Sequence, residues 1–204
     1  MLTVQNLTCR RGGSLVFRDT SFAVKAGGFV LVTGANGSGK SSLLRLLAGL
    51  LPPHDGTILW QNQPVADDTD AHRARTHYIG HLDAVKTGLT VTEMLEYWQN
   101  LRGLGATNIP ASLSAFGLTK LADRPIRRLS AGQKKRLSLT RLIHDTAPLW
   151  LLDEPTTALD NAGQDLLRTQ IARHRAAGGI VVAASHDDLQ ITDAQNIVMT
   201  GAGR

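Results

Sequence analysis

The chain has 204 residues, 42% of them hydrophobic, and a formal net charge of +5. That length carries one large α/β domain and falls short of two. No apolar run approaches the roughly 20 residues that a membrane-spanning helix needs, since stretches such as 180–184 are only strand-sized. The basic balance admits nucleic acid, anionic lipid or nucleotide as partner. Its clusters at Arg124, Arg127, Arg128 and at Lys134, Lys135, Arg136 have no interleaved aromatics, which argues against a groove for single-stranded nucleic acid.

Residues 2–32 read as short strands with period-two alternation (Leu2, Val4; Phe22, Val24; residues 29–32). The turn-prone Arg11-Gly12-Gly13 and Ala26-Gly27-Gly28 separate them, so a small β layer is predicted. Residues 1–10 lack the continuous apolar core of a signal peptide and the lone Cys9 has no intrachain partner, so a cytosolic address is expected. Leu43, Leu44, Leu46, Leu47 and Leu50 mark a helix over 41–50, ended by Pro52-Pro53. A strand at 57–60 and a polar stretch rich in Asp and His follow. Helices are then predicted over 91–101, 110–116 and 130–143, with about 85–128 forming a helical insertion. Strands return at 149–153, 180–185 and 196–199 around a helix over 161–177 that stops at Gly178-Gly179. This alternation predicts a mostly parallel sheet covered on both faces, with ligands at the carboxyl ends of its strands. No internal repeat or low-complexity linker interrupts residues 1–204, which are read as a single domain.

The run Gly34-Ala35-Asn36-Gly37-Ser38-Gly39-Lys40-Ser41 follows an apolar strand and opens the leucine-rich helix, the context that distinguishes a phosphate loop from a glycine-rich turn. Its glycines permit a backbone whose amides point inward, and the helix N-terminus adds partial positive charge. Lys40 brings a full charge to the β and γ phosphates, Ser38 and Ser42 extend the cradle, and Ser41 offers a hydroxyl to Mg2+. A second run, residues 148–155, is an apolar strand ending in two carboxylates. Asp153 at its tip can hold magnesium through the ion's water shell. Glu154, expected to point the other way, can take a proton from an attacking water. Pro155 is expected to bias Glu154 toward extended backbone.

Leu129-Ser130-Ala131-Gly132-Gln133 starts a helix in which Ser130 and Gln133 form a reciprocal capping box. The same exposed helix start, with Gly132, is an anion site able to meet the γ-phosphate of a nucleotide held by another subunit.

Taken together, residues 34–41, 129–133, Asp153-Glu154, Ala158-Leu159-Asp160 and Ser185-His186 resemble, in order and spacing, the ATP-binding cassette (ABC) ATPase family. The resemblance covers essentially the whole chain. It implies a P-loop NTPase fold of the RecA-like kind: a mostly parallel sheet, an N-terminal antiparallel β layer and a helical insertion. It implies an ATPase that binds ATP and Mg2+, and a homodimer in which a second ATP-binding subunit closes each site through Ser130. It also implies His186 as a γ-phosphate sensor and Asp160 as a residue communicating across the dimer.

Two positions depart from the family. His81 stands where most cassettes carry a glutamine near magnesium, and it can either bind a metal-held water or reposition its loop. Arg11 stands where an aromatic usually stacks on adenine. A guanidinium can stack on a flat base, and it can equally be a solvated surface group. With Leu59-Trp60-Gln61, Ile79-Gly80-His81, Lys86-Thr87, Leu89-Thr90 and residues 149–155, these departures resemble one branch, the haem-exporter ATPase subunits of bacterial cytochrome c maturation. The short stretch after His186, without a regulatory domain, agrees. That branch implies integral membrane permease subunits as partners, haem or a haem chaperone as indirect cargo, no nucleic acid, and a peripheral place on the cytoplasmic face of the inner membrane. The helical insertion is expected to receive the coupling helices of the membrane subunits.

Overall fold

The computed structural model describes residues 1–103, 108–143 and 146–201, and the chain divides into two compact units. The first comprises Met1–Gly80, Ala147–Pro155 and Ile171–Arg204; the second comprises His81–Thr146 and Thr156–Gln170.

In the first unit, the alternating N-terminal segments form an antiparallel sheet. Strand β1 (Leu2–Arg11) turns at Gly12-Gly13 and pairs with β2 (Ser14–Val24). The chain then leaves this sheet as β3 (Phe29–Gly34), passes through helix α1 (Lys40–Leu47), and returns as β4 (Asp55–Trp60) on the far side of β1. A two-residue strand, β5 (Gln63–Pro64), completes the order β2-β1-β4-β5. The register of β1 slips near Asn6, whose φ of 48° is a left-handed kink that a small polar side chain tolerates. The inward set Leu2, Val4, Leu7, Cys9, Phe17, Phe22 and Val24 is buried against Leu43, Leu44, Leu46 and Leu47 of α1. Each of those leucines contributes about 1.5–3 kcal/mol by leaving water.

The Asp- and His-rich stretch after β5 is ordered structure that its letters conceal. A 3-10 turn (Val65–Asp67) leads to α2 (Thr69–Ala74), capped by Asp68 accepting from the Ala71 amide, and to β6 (Thr76–Ile79). Two of its histidines, His72 and His77, are core residues with 1% and 2% exposure, which is why hydropathy reads the segment as polar.

Strand β7 (Leu149–Asp153) and strand β8 (Ile180–Ala184) are buried at every position, as expected of parallel strands covered on both faces. With β9 (Gln195–Met199) they form a five-stranded sheet of order β6-β7-β8-β3-β9, all parallel. The three central strands β7, β8 and β3 therefore deliver their carboxyl ends side by side.

The second unit is helical. Helix α3 (Val91–Arg102) starts with a capping box between Thr90 and Glu93 and ends at Gly103, φ 61°. Helix α4 (Ile109–Ala115) is capped by Asn108. A short antiparallel contact, with Val91 N–H donating to Arg124 O at 3.2 Å and Ile126 N–H to Leu89 O at 2.9 Å, braces the segment before the next helix. That helix, α5 (Ala131–Leu139), tightens into a 3-10 turn (Thr140–Leu142), so the α-helix is shorter than the apolar period suggests. Val91, Met94, Leu95, Trp98, Leu113, Phe116, Ile126, Leu137 and Leu139 are buried. Helix α6 (Asn161–Ala176) opens after Asp160, whose carboxylate accepts from the Gly163 amide at 2.9 Å.

Candidate active site

The phosphate loop lies between the tip of β3 and the start of α1. Gly34 has φ 139°, and a Cβ there would lie 2.3 Å from Met199 O and 2.8 Å from Ser38 Oγ, so glycine is what lets the loop turn over the sheet edge. Helix α1 begins at Gly39 with no side-chain cap and no acidic residue in its first turn. Its leading amides are thus open to an anion. Ser38 Oγ is buried without a protein partner, a donor that a phosphate oxygen would satisfy. Lys40, 7% exposed, donates from Nζ to Gly34 O at 2.8 Å and Ala35 O at 3.3 Å, so the loop's own carbonyls hold the charge in place. Asn36 and Gly37 form the exposed crest, and Ser42 is buried one residue into the helix beyond Ser41.

The two carboxylates part at the end of β7. Asp153 is 1% exposed; its Oδ1 accepts from Ser41 Oγ at 2.9 Å, and its Oδ2 accepts from the Tyr78 hydroxyl at 3.4 Å. Glu154 turns toward the end of β8, where its Oε2 accepts from the His186 amide at 3.4 Å and its Oε1 lies 3.5 Å from His186 Nε2. The backbone of Glu154 is not extended. Its φ is 49°, in the left-handed region, while its N–H still bonds Ala184 O at 2.8 Å. Pro155 disfavours the right-handed helical region, and the last ladder bond to β8 fixes the turn.

His186, after β8, gathers the site. Its Nε2 lies 3.1 Å from Lys40 Nζ and 2.6 Å from Asn36 Oδ1, besides Glu154. One ring nitrogen cannot both accept from the ammonium and donate to the amide oxygen, so the tautomer or charge of His186 selects which neighbour it bonds. The side chain is 45% exposed.

The signature at residues 129–133, the helix start with the reciprocal capping box, belongs to the second unit. Ser130 Oγ accepts from the Gln133 amide at 3.2 Å, and Gln133 Oε1 accepts from the Ser130 amide at 3.0 Å, completing the capping box. Ser130 is exposed. Gly132 packs against the following loop so closely that a Cβ would meet Ala158 O at 2.6 Å. Arg136, one turn along α5, forms an ion pair with Asp160. That arginine and the Gly163 amide hold the Asp160 carboxyl below the usual carboxylate range, the amide being the larger influence.

Arg11 is exposed at the end of β1, and no aromatic precedes the turn. His81 is exposed in the bend after β6, near Asp83, whose carboxyl is raised chiefly by burial. Among the described residues no group of three or more His, Cys, Asp or Glu could hold a metal unaided. The Ser41–Asp153 pair supplies hard oxygen donors of the kind Mg2+ takes one or two at a time, beside phosphate oxygens and water. The sequence missed Tyr78 and Arg45, which belong to the Asp153 surroundings. Tyr78 sits in a strand too polar to be foreseen, and Arg45 reads as the outer face of a leucine helix.

Residues 17–157 match the ABC transporter family, a span that takes in the phosphate loop, the signature and both carboxylates; the chain belongs to that family of ATP-binding, ATP-hydrolysing cassettes. Within it, the chain falls among the cytochrome c biogenesis ATP-binding export proteins. It is 50% identical over 199 residues to the protein of that name, CcmA, from Paramagnetospirillum magneticum, covering 96% of this chain and 92% of that one. It is 53% identical over 190 residues to CcmA from Rhodospirillum rubrum, covering 93% and 82%. Its fold is shared with an ATP-binding subunit of an ABC transporter (TM-score 0.79, 26% identity, covering 91% of this chain and 79% of that one). It is shared also with MJ0796, described as a dimeric bacterial ABC transporter cassette (TM-score 0.74, 25% identity, covering 92% and 88%). No helix among the described residues is long and apolar enough to cross a membrane.

Proposed function

We propose that this chain is the ATP-hydrolysing subunit of a haem exporter of cytochrome c maturation. It would couple MgATP hydrolysis to haem export, or to release of a haem-loaded chaperone, at the cytoplasmic face of a bacterial inner membrane. Relatives of 50% and 53% identity that bear the name cytochrome c biogenesis ATP-binding export protein support an export role in that process. The observation that carries the chemistry is the convergence of Lys40, Asn36 and Glu154 on His186 Nε2, at 3.1, 2.6 and 3.5 Å.

In this proposal, residues 34–42 wrap the triphosphate, Lys40 sits on the β and γ phosphates, and His186 reads the γ-phosphate. Ser41 and Asp153 would hold Mg2+, which would supply charge neutralisation for the phosphates, and Arg11 is assigned to the base. Glu154 accepts a proton from water as the water oxygen attacks the γ-phosphorus and the bond to the ADP oxygen breaks. Ser130, Gly132 and Gln133 close the site of a second copy in a homodimer, an arrangement supported by the dimeric cassette MJ0796. Both units serve one ATPase domain, and the helical unit, with exposed Arg124, Arg127 and Arg128, receives the integral membrane permease subunits.

Glu154→Gln tests this reading. It keeps the shape and the acceptor for the His186 amide while removing the base, so turnover should fall about 10²–10⁴-fold. An ATP-bound dimer should accumulate on gel filtration. Assembly of c-type cytochromes should stop in cells carrying the variant. Undiminished turnover would remove Glu154 from its role, and normal cytochrome assembly with a dead ATPase would remove the exporter assignment.

A further inference from the structure

The candidate hydrolysis site contains a hydroxyl that neither the phosphate loop nor the acid–histidine pair uses. Tyr78 lies in register with Leu151 across the β6–β7 ladder. Side chains two apart on a strand share a face, so Asp153 stands on the same side as Leu151, one diagonal step further toward the site. The Tyr78 ring spans that diagonal, and its hydroxyl donates to Asp153 Oδ2 at 3.4 Å while Ser41 takes Oδ1 at 2.9 Å. The charge of Arg45, four residues after Ser41 and therefore on the same face of α1, acts on the same hydroxyl. Ser41 of α1 and Tyr78 of β6 thus hold one buried carboxylate at its two oxygens. Gly80 leaves room for the ring, since a Cβ there would touch it at 3.3 Å.

We infer that Tyr78 is a positioning residue for the cation-binding carboxylate: with Arg45 beside it, it fixes Asp153 Oδ2 and thereby the orientation in which the carboxylate would be presented to a cation. The inference rests on the functional reading above, in which Ser41 and Asp153 hold Mg2+. A carboxylate held at one oxygen only can swing about its terminal bond, whereas one held at both presents a fixed lone pair.

The test is the Mg2+ dependence of a fluorescent ATP analogue's emission on the full-length protein, compared with its affinity in EDTA. Tyr78→Phe should raise the half-saturating Mg2+ concentration about tenfold, the low end for loss of a partner behind a metal ligand. Affinity without Mg2+ should stay within about twofold. Arg45→Met, which leaves the hydroxyl in place, should move the midpoint the same way by a smaller factor, and it decides the matter should Tyr78→Phe fail to fold. A wild-type Mg2+ midpoint in Tyr78→Phe, or equal losses with and without Mg2+, would overturn the inference. Ser41→Ala separates the two levels. If it shifts the midpoint and Tyr78→Phe does not, only the inference fails; if neither shifts it, the cation is not held at this pair and both readings fail.

Discussion

Replacing Gly34 by alanine should damage the protein far more than the same change three residues later. At Gly34 the new Cβ would sit 2.3 Å from Met199 O, and this oxygen belongs to a strand in register with Gly34, so it cannot retreat cheaply. A non-glycine residue in such a φ region costs about 1–3 kcal/mol, and forced overpacking costs a further 1–3 kcal/mol or so. The sum, roughly 4 kcal/mol, is a large share of the 5–15 kcal/mol typical of a folded domain. At about 2–4 °C per kcal/mol for a chain of this size, Gly34→Ala should melt roughly 8–16 °C below wild type. Gly37 has φ 80° and nothing within 4 Å of an added Cβ, so Gly37→Ala carries only backbone strain, about 1–2 kcal/mol. Thermal unfolding by circular dichroism, with and without ATP, measures both. Gly34→Ala should also lose most of the ATP-induced rise in melting temperature, because Ser38 is displaced with the loop. Equal melting points for the two variants, or a Gly34→Ala protein within about 2 °C of wild type, would refute the reasoning.

Two further outcomes follow from the loop and the core. Lys40→Ala removes the ammonium that Gly34 O and Ala35 O hold in the loop and that is assigned to the β and γ phosphates; nucleotide affinity by equilibrium dialysis should fall at least about 100-fold, the scale of losing two charge-assisted bonds to phosphate. His72 is buried with Nε2 on Leu47 O at 2.7 Å, and burial lowers its folded pKa below the ordinary histidine value of 6.5. The neutral ring is the folded form, so its stability contribution is full above pH 6.5 and lost progressively as pH falls from there toward the folded value. Urea midpoints should therefore drop between pH 7 and 5, and His72→Gln should flatten that slope.

Where the chain's chemistry and its periodicity coincide, the fold could be read from the letters. The glycine loop sits between an apolar strand and a leucine face, and the run at 149–153 ends in acids, so both element type and position follow. Legibility failed where burial falls on polar residues. His72 and His77 are in the core, and α2 and β6 around them read as loop. It failed again where tertiary bonds override a local bias: Pro155 suggested an extended Glu154, but the bond to Ala184 O and the left-handed φ turn it toward His186. The Asn36–His186–Glu154 meeting and the Tyr78 contact depend on strand order, which no local pattern encodes.

That strand order has a consequence for how this chain tolerates changes of length. Asp153, Ser185 and Gly34 leave from neighbouring strands whose pairing runs Asp153↔Ala184 and Val32↔Ala184. Adding or deleting a single residue within β7, β8 or β3 would therefore invert which side chains face the helices and pull one functional tip out of line with the other two. The Gly12-Gly13 turn, with open space around both positions, can lengthen without moving any of them. Insertions scanned through the gene should be purged from three short windows and accepted at that hairpin.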